Sequence, residues 1–365
     1  MFSRPIEAIK LLWLLIVLVG CGLTGTHTKL QWRISSPLPE PRGGYAAGIL
    51  DEKLIIAGGT YWEGAKGRWI RKKYSSRTDA FDPKTEFWTR LPDMPTALGY
   101  SASVVVDDQL YVIGGYTGDR ENNKVYTLRK TQNRYLWAES GELPQPKLFA
   151  RALPVGRSIA LLGGTTRFEP YDASGTCCTS QSATRDLLFL NLSQPQLGWK
   201  AHPPFPGPER WLFSAESDAM SIWMIGGIDQ KVPDGPVTQY DELWRYDLSQ
   251  KTWSRTAALP REAHNATPIS SVLFEGRLFL IGFSKRVWEF NMVTREFTDQ
   301  SPLPREAFVD RFFWVNGQIL GAGGENKLEG PRRRSEWTFI GEFGVLDDGA
   351  AFWSAPRALE AERTG

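Results

Sequence analysis

Basic residues follow a proline at five places in the chain, and this spacing suits the binding of an acidic ligand. The segments are Pro41-Arg42, Pro146-Lys147, Pro208-Glu209-Arg210, Pro260-Arg261 and Pro304-Arg305. A guanidinium group can donate two parallel hydrogen bonds to a carboxylate. We therefore predict that Arg42, Arg210, Arg261 and Arg305 contact a ligand carboxylate. The alternative is that each arginine bonds a neighbouring carbonyl or acidic side chain.

Three further residues have side chains that can exchange a proton with a ligand hydroxyl group. Glu325 follows Gly323-Gly324 directly and precedes a basic stretch at residues 332–334. Cations nearby lower the pKa of a carboxyl group, so Glu325 is a candidate base or ligand contact. His264 and Asp310 each follow soon after one of the arginines and are candidate proton shuttles. The alternative for both is that they cap a strand or pair with the arginine.

Aromatic residues stand beside charged ones in the polar segments that follow the glycine pairs of the chain. The first of these segments, Thr60–Ser76, is long and contains Tyr61 and Trp62. Long loops on a compact fold tend to be functional. A flat ring beside hydrogen-bonding groups is a plausible sugar-binding composition, and we add Arg120 and Arg167, from the next two segments, as ligand contacts. The alternative is that Tyr61 and Trp62 pack against their own loop.

The N-terminal residues have the pattern of a targeting segment. Arg4 and Lys10 precede an apolar run, Leu11–Val19, that is too short to span a membrane. The run leads to Leu18-Val19-Gly20-Cys21, which resembles a bacterial lipobox. We predict a signal peptide at residues 1–21, lipid attachment at Cys21 and a tether at residues 22–29. The protein would be anchored in the bacterial cell envelope, at the outer membrane in a Gram-negative cell. An ordinary secretory signal with an incidental cysteine is the alternative.

Composition argues against several functional classes. Lys and Arg total 43 against 41 Asp and Glu, whereas a nucleic-acid-binding protein is expected to carry a basic stripe. With three histidines in the chain, we expect no metal site and no cofactor. Cys177 and Cys178 are adjacent, and either a strained disulfide or two free thiols fits that spacing.

Two repeated markers indicate the elements that position these residues. Short apolar runs end in a glycine pair, or in its Gly-Phe equivalent, six times: Gly58-Gly59, Gly114-Gly115, Gly163-Gly164, Gly226-Gly227, Gly282-Phe283 and Gly323-Gly324. Out of phase with them, an aromatic residue precedes a proline turn six times: Trp32, Trp88, Trp137, Trp199, Trp253 and Phe297. The chain is rich in turn residues and aromatics, with 35 Gly, 24 Pro and 15 Trp, which points to many short strands, and each unit divides into four of them. We expect the glycines to lie where no Cβ fits, and the aromatic residues to form wedges between sheets.

The repeat length of about 50 residues and the glycine pairs resemble those of kelch repeats. Over residues 30–341 the chain resembles six-bladed kelch β-propellers, which implies an all-β fold, with a C-terminal tail at residues 342–365. In such propellers the loops from fourth to first strands and from second to third strands share one face. Five cations would then surround that face, and only the second unit, Pro95-Thr96-Ala97, lacks one.

Within that superfamily the chain looks most like the bacterial N-acetylneuraminate epimerase (sialic acid mutarotase) group and its cyclically permuted relatives. This resemblance implies an exported protein that interconverts the anomers of an acidic sugar. The acid/base glutamate of the group follows the glycine pair of the fourth unit, where this chain has Gly226-Gly227-Ile228. A cyclic shift would give that role to Glu325.

Two functions remain open at this stage. The first is a carbohydrate-binding protein with mutarotase or epimerase activity toward an acidic sugar. The second is a non-catalytic scaffold that binds a protein or a glycan, and the missing fourth-unit glutamate favours it. In both cases we expect a monomer with a lipid anchor.

The segment Leu30–Ile34 predicts how the ring closes. The last unit supplies a first strand near Phe308–Val315, a second at Gln318–Ala322 and a third near Glu336–Ile340, but no tryptophan strand follows. Gln31-Trp32-Arg33 supplies the missing fourth strand. We therefore predict a six-bladed kelch β-propeller closed by an N-terminal strand in the last blade.

Overall fold

The computed structural model describes residues 28–63, 71–169, 179–232, 235–263, 269–282, 285–326 and 333–345. The predicted signal segment with Cys21, the loop cysteines Cys177 and Cys178, and His264 lie outside the described residues. Leu30–Gly344 form one compact unit. A second unit comprises residues 1–29 and 345–365, of which Thr28, Lys29 and Val345 are described.

The described chain forms six four-stranded antiparallel sheets, which are the blades of a propeller. The chain begins with β1 (Thr28–Ser35). Blade one and its loop hairpin follow as β2 (Ala46–Leu50), β3 (Lys53–Ala57), β4 (Thr60–Glu63), β5 (Arg71–Tyr74), β6 (Thr78–Asp82) and β7 (Phe87–Leu91). Blade two contains β8 (Ala102–Val106), β9 (Gln109–Ile113), β10 (Lys124–Thr131) and β11 (Arg134–Glu142). Blade three contains β12 (Arg151–Val155), β13 (Ser158–Leu162), β14 (Leu187–Asn191) and β15 (Lys200–His202).

The second half of the chain repeats this arrangement. Blade four and its loop hairpin comprise β16 (Ser214–Ser217), β17 (Ser221–Ile225), β18 (Ile228–Asp229), β19 (Thr238–Gln239), β20 (Glu242–Asp247) and β21 (Thr252–Ala258). Blade five contains β22 (Ile269–Phe274), β23 (Arg277–Gly282), β24 (Val287–Asn291) and β25 (Phe297–Gln300). The last unit supplies β26 (Phe313–Val315), β27 (Gln318–Ala322), β28 (Glu325–Asn326), β29 (Arg333–Arg334) and β30 (Thr338–Val345). Two 3-10 turns, Pro195–Leu197 and Arg261–Ala263, are the helical segments of the described chain.

The N-terminal strand closes the ring, as the sequence predicts. The sixth sheet has the order β1-β30-β27-β26, so β1 is its outermost strand. The last strand runs to Val345, beyond the predicted boundary at residue 341. The first strands of neighbouring blades contact one another around the whole ring, from β2 to β26 and back to β2. We call the space that they enclose the central channel.

The tryptophans of the outermost strands hold neighbouring blades together, which confirms the prediction that they form wedges. Four of them donate the indole N–H to a carbonyl oxygen in the turn that ends the preceding blade. The distances from indole nitrogen to carbonyl oxygen are 3.0 Å for Trp32 to Ser301, 3.1 Å for Trp88 to Ser36, 3.0 Å for Trp137 to Pro92 and 3.1 Å for Trp253 to Pro203. Each of these indole rings therefore packs between blades and has a hydrogen-bond acceptor for its N–H group.

The glycine pairs lie where the sequence analysis expects them, at the ends of the second strands. Gly58 and Gly59 have φ values of +66° and +100°, which residues with a side chain rarely adopt. A Cβ on Gly324 would overlap the carbonyl oxygen of Phe308 in the loop before β26. The glycine pair thus lets the chain turn sharply and lets its backbone lie directly against the loop before the first strand.

The apolar core lies between neighbouring blades. One cluster joins Ile55 and Ala80 of blade one to Leu110 and Leu128 of blade two, and all four are buried. Each blade therefore depends on its neighbours for burial of its faces. Within the described residues we find no helix with the length and hydropathy needed to cross a bilayer.

Candidate binding face and central channel

Two sets of loops meet on one side of the propeller, which we call the loop face. The residue after each glycine pair forms a bridge with the chain just before the first strand of the same blade. The described bridges are Gly43 with Thr60, Gly99 with Tyr116, Leu148 with Thr165, Trp211 with Ile228, and Phe308 with Glu325. The loops from fourth to first strands and from second to third strands therefore share this face.

The predicted ring of ligand-binding cations forms a set of buried ion pairs in three of the blades. Arg42 and Arg210 are fully buried, with ion pairs at 2.6 Å to Asp79 and 2.7 Å to Glu242. Lys147 is equally buried and lies 2.7 Å from Asp186. Each acidic partner stands at the start of the third strand of the same blade. Arg42 and Arg210 therefore have the arrangement given above as the alternative, in which each arginine pairs with an acidic side chain, and a ligand-binding role for them stays a prediction.

The remaining predicted arginines stay on the surface. Arg120, Arg167, Arg261 and Arg305 are exposed, and all four lie in loops of the loop face. Arg120 and Arg167 belong to the second-to-third loops of blades two and three, next to the aromatic residues described below. The structure therefore brings Arg120 and Arg167 to the same part of the loop face, at blades two and three.

Glu325 and Arg334 form an ion pair between the two strands of the β28–β29 hairpin. Arg334 also donates a hydrogen bond of 2.5 Å to the hydroxyl of Thr60, in blade one. Its side chain is 5% exposed, so the pair lies at the seam between blades six and one. Glu325 is therefore held in a link between blades.

Asp310 accepts the last bond of a hydrogen-bond chain that runs through blades three, two, one and six on the loop face. The amide of Phe149 donates to the carbonyl of Tyr100, and the amide of Tyr100 donates to the carbonyl of Gly44. The amide of Gly44 then donates to the Asp310 carboxylate over 2.9 Å. Burial raises the pKa of Asp310 to about 6, while the bond from Gly44 opposes that change.

Five aromatic residues form a continuous surface on the loop face, and we call it the aromatic patch. Its members are partly exposed and come from blades one to three: Tyr74, Tyr100, Tyr116, Phe149 and Phe168. Tyr100 stacks on Phe149 at 4.5 Å between ring centroids, and Tyr116 stacks on Phe168 at the same distance. Tyr100 also stacks on Phe168 at 5.7 Å, and Tyr74 meets Tyr116 edge to face at 5.5 Å. The rings thus hold one another in place.

The backbone beneath the patch is in an unusual conformation. Tyr100 and Phe149 have φ values of +63° and +56°, although bulky residues rarely adopt them. Gly44 and Leu212 occupy the same position in blades one and four, with φ of +63° and +51°. The left-handed conformation therefore recurs at this position of the repeat, and in blades two and three a residue of the patch adopts it.

The predicted aromatic residues of the first loop lie beside the patch. Tyr61 and Trp62 belong to β4 and pair with Lys73 and Lys72 of β5. The Lys72 ammonium group lies 5.3 Å from the Trp62 ring centroid and 5.7 Å from that of Tyr100. The hairpin therefore extends the patch and adds a positive charge to it.

The channel holds charged residues that the sequence analysis missed. Arg151 and Arg311 lie at equivalent positions of blades three and six, and Glu216 lies at the channel in blade four. The Arg151 Nε donates to the carbonyl of Phe213 at 2.9 Å, and the Arg311 Nη1 donates to that of Ser103 at 2.7 Å. The sequence does carry a signal for such a channel residue. It is an arginine at the start of an otherwise apolar innermost strand, as in Arg151-Ala152-Leu153.

Comparisons with known proteins agree with this architecture. The family model described as "Kelch motif" matches residues 41–95 and 97–129, which contain blade one and most of blade two. The chain is therefore a six-bladed β-propeller that carries kelch repeats.

Three of the proteins with similar sequences are longer than this chain, and the similarity covers part of each. The chain is 25% identical to beta-scruin of Limulus polyphemus over 63% of its own length and 23% of that protein. It is 25% identical to Kelch-like protein terF of Aspergillus terreus over 71% of its length and 52% of that protein. It is 26% identical to the host cell factor homolog hcf-1 of Caenorhabditis elegans over 69% of its length and 33% of that protein. The chain thus spans about half or less of the length of these relatives.

Proposed function

We propose that this protein is a non-catalytic binding scaffold that docks a protein partner on its loop face. The aromatic patch is the observation that carries this proposal. Aromatic residues dominate the energetically important centres of protein interfaces. The rings of the patch are already stacked on one another, so a partner would bind them with little loss of side-chain freedom.

The surroundings of the patch support the same function. Lys72, Arg120 and Arg167 supply positive charge near its edge, and Asp119 and Glu121 supply negative charge. A polar rim around an apolar centre is the usual anatomy of a protein interface. The propeller provides a rigid ring beneath variable loops, and binding residues are often found on such loops.

A mutarotase mechanism has less support. Arg42 and Arg210 are buried with their own carboxylates, and Glu325 is ion-paired with Arg334. A general base must reach the proton that it removes, and Glu325 is engaged in a link between blades instead.

Glycan binding is the second candidate function. The stacked rings of Tyr116 and Phe168 present flat apolar faces, and Arg120 and Arg167 are exposed nearby. This arrangement would accept a sugar with an acidic substituent. The protein partner remains our first choice because the patch continues from Tyr74 to Phe149 across three blades.

We extend the proposal to the placement of the protein in the cell envelope. A lipid on Cys21, joined through a tether at residues 22–29, would hold the propeller close to the membrane. Mass spectrometry of the mature protein would detect the lipid, and an unmodified Cys21 would refute this placement.

Two parallel screens test the proposal. A displayed library of peptides and small protein domains is selected against the immobilised protein, and a glycan array is probed with the same preparation. We expect protein binders that lose binding to the Tyr116→Ala/Phe168→Ala variant. Binding to saccharides alone would overturn the protein-partner proposal in favour of the glycan. Acceleration of sialic acid anomer exchange, followed by NMR, would restore the enzymatic function.

A further inference from the structure

Two arginines occupy the same position on opposite sides of the central channel. Arg151 pairs with Leu162 in blade three, and Arg311 lies two residues before β26 in blade six. At this position the other blades carry Ala46, Ala102, Ser214 and Ser270, none of which bears a charge. Blades three and six face each other in a ring of six, so these two side chains enter the channel from opposite walls.

The hydrogen bonds show that both side chains cross the channel. The Arg151 Nη1 reaches the carbonyl of Asp310 in blade six at 3.4 Å. The Arg311 Nη1 reaches the carbonyls of Ser103 and Ala152, in blades two and three, at 2.7 and 3.4 Å. The two guanidinium groups therefore occupy the same section of the channel.

This pair of cations is incompletely balanced by the protein. Among the described residues, neither arginine forms an ion pair with a carboxylate, whereas Arg42, Arg210 and Arg334 each do. Burial and the neighbouring charge of Arg311 together lower the pKa of Arg151 to about 10. Glu216 lies near both arginines and Asp310 lies near Arg151. The Glu216 carboxylate accepts a hydrogen bond from Ser271 at 2.8 Å, and the Asp310 carboxylate accepts one from the Gly44 amide at 2.9 Å.

Each arginine also keeps donors that no described protein group accepts. Arg151 uses Nε and Nη1, and Arg311 uses Nη1 alone. The remaining donors are the Nη2 group of Arg151 and the Nε and Nη2 groups of Arg311. Such forked donors match the oxygen atoms of an oxyanion.

We propose that the central channel binds a small oxyanion between Arg151 and Arg311. The ligand class is an inorganic oxyanion, such as phosphate or sulfate, or the carboxylate of a small acid. The oxyanion would offset the repulsion between the two guanidinium groups and would tie blade three to blade six. This channel site is separate from the aromatic patch and does not depend on the proposed docking function.

Isothermal titration calorimetry and thermal unfolding of the whole protein test the proposal. Phosphate, sulfate, acetate and chloride are compared at equal ionic strength, which separates oxyanion recognition from screening of charge. We expect saturable binding of an oxyanion and a melting temperature that rises with its concentration. Phosphate and sulfate in one arm and acetate in the other distinguish an inorganic ligand from a carboxylate. Equal effects of all four salts would overturn the proposal.

Two variants should change the affinity in opposite directions. Arg311→Gln removes one cation, so we expect the affinity to fall roughly tenfold or more. Glu216→Gln removes the competing carboxylate and should raise the affinity severalfold, and it keeps the test valid if Arg311→Gln fails to fold. Arg157→Gln, at an exposed arginine in the turn between β12 and β13, is the matched control and should leave the affinity unchanged. A decrease with Arg157→Gln equal to that with Arg311→Gln would contradict a channel site.

Discussion

At the scale of single residues, the buried cations show what the sequence can and cannot predict. The motif of an arginine after a proline turn was visible, but its partners Asp79 and Glu242 stand more than thirty residues further along the chain. Pairing of the strands within the blade brings each acidic residue next to its arginine. No short sequence motif predicts which residues this pairing brings together. Arg151, Arg311 and Glu216 were missed for a related reason, because alternation along a strand does not identify the side that faces the channel.

Replacing Arg42 tests whether its ion pair with Asp79 stabilises the fold. Arg42→Gln leaves the buried Asp79 with Arg77 as its remaining cation, and we expect the free energy of unfolding to fall by about 3 kcal/mol. Urea denaturation measures this change. Lys84→Gln, which breaks the exposed pair with Glu52, is the control and should have little effect. A stable Arg42→Gln protein that loses ligand binding would support the ligand role.

Glu216 should make the stability of the protein depend on pH. Burial raises the pKa of this carboxyl group from 4.5 to about 7, although Arg311, the hydroxyl of Ser271 and Arg151 oppose the shift. The folded state therefore binds the proton more tightly than the unfolded state. The resulting stabilisation is fully present below pH 4.5 and is lost as the pH rises through 7.

Comparison with Glu216→Gln isolates this contribution. The wild-type protein should lose up to about 3 kcal/mol relative to the variant as the pH rises through this window. Denaturant unfolding at several pH values measures the difference between the two proteins. A difference that stays constant would show that Glu216 does not titrate in this range.

At the scale of elements, the repeat markers predicted the strands well because each marker has a local physical cause. A glycine pair is required where φ is positive and the loop before the first strand comes close. An aromatic residue precedes each proline turn, and four of the five tryptophans donate the indole N–H to the turn that ends the preceding blade. Limits of strands were less predictable, since β26 begins at Phe313, whereas the sequence suggested a start near Phe308.

The closing strand gives a prediction for ring stability. Trp32 donates to Ser301 of blade five and packs edge to face on Phe312, with 5.7 Å between ring centroids. We expect Trp32→Ala to lower the free energy of unfolding by about 3 kcal/mol, and deletion of Leu30–Ile34 to lower the melting temperature much further. Ile34→Ala, at a side chain that is 39% exposed, is the control in the same strand and should cost about 0.5 kcal/mol or less. Unchanged melting of the deletion variant would mean that β1 is only a linker.

At the scale of the whole molecule, the ring separates stability from recognition. Buried ion pairs stabilise the individual blades and the tryptophan wedges stabilise the seams between them, so the loop face can vary without loss of the fold. The class of fold and its closure followed from the sequence. The aromatic patch did not, because its members come from three blades and meet only when the ring is assembled.

The affinity of a selected protein ligand is the most direct test of the docking function. We expect the dissociation constant to rise roughly tenfold or more in Tyr116→Ala/Phe168→Ala, because both rings lie at the centre of the patch. Phe87→Ala is the matched control, since that ring is 68% exposed at the start of β7, on the opposite face. The same dissociation constant in the wild type and the patch variant, with weaker binding in Phe87→Ala, would place the docking surface on the opposite face and contradict our account.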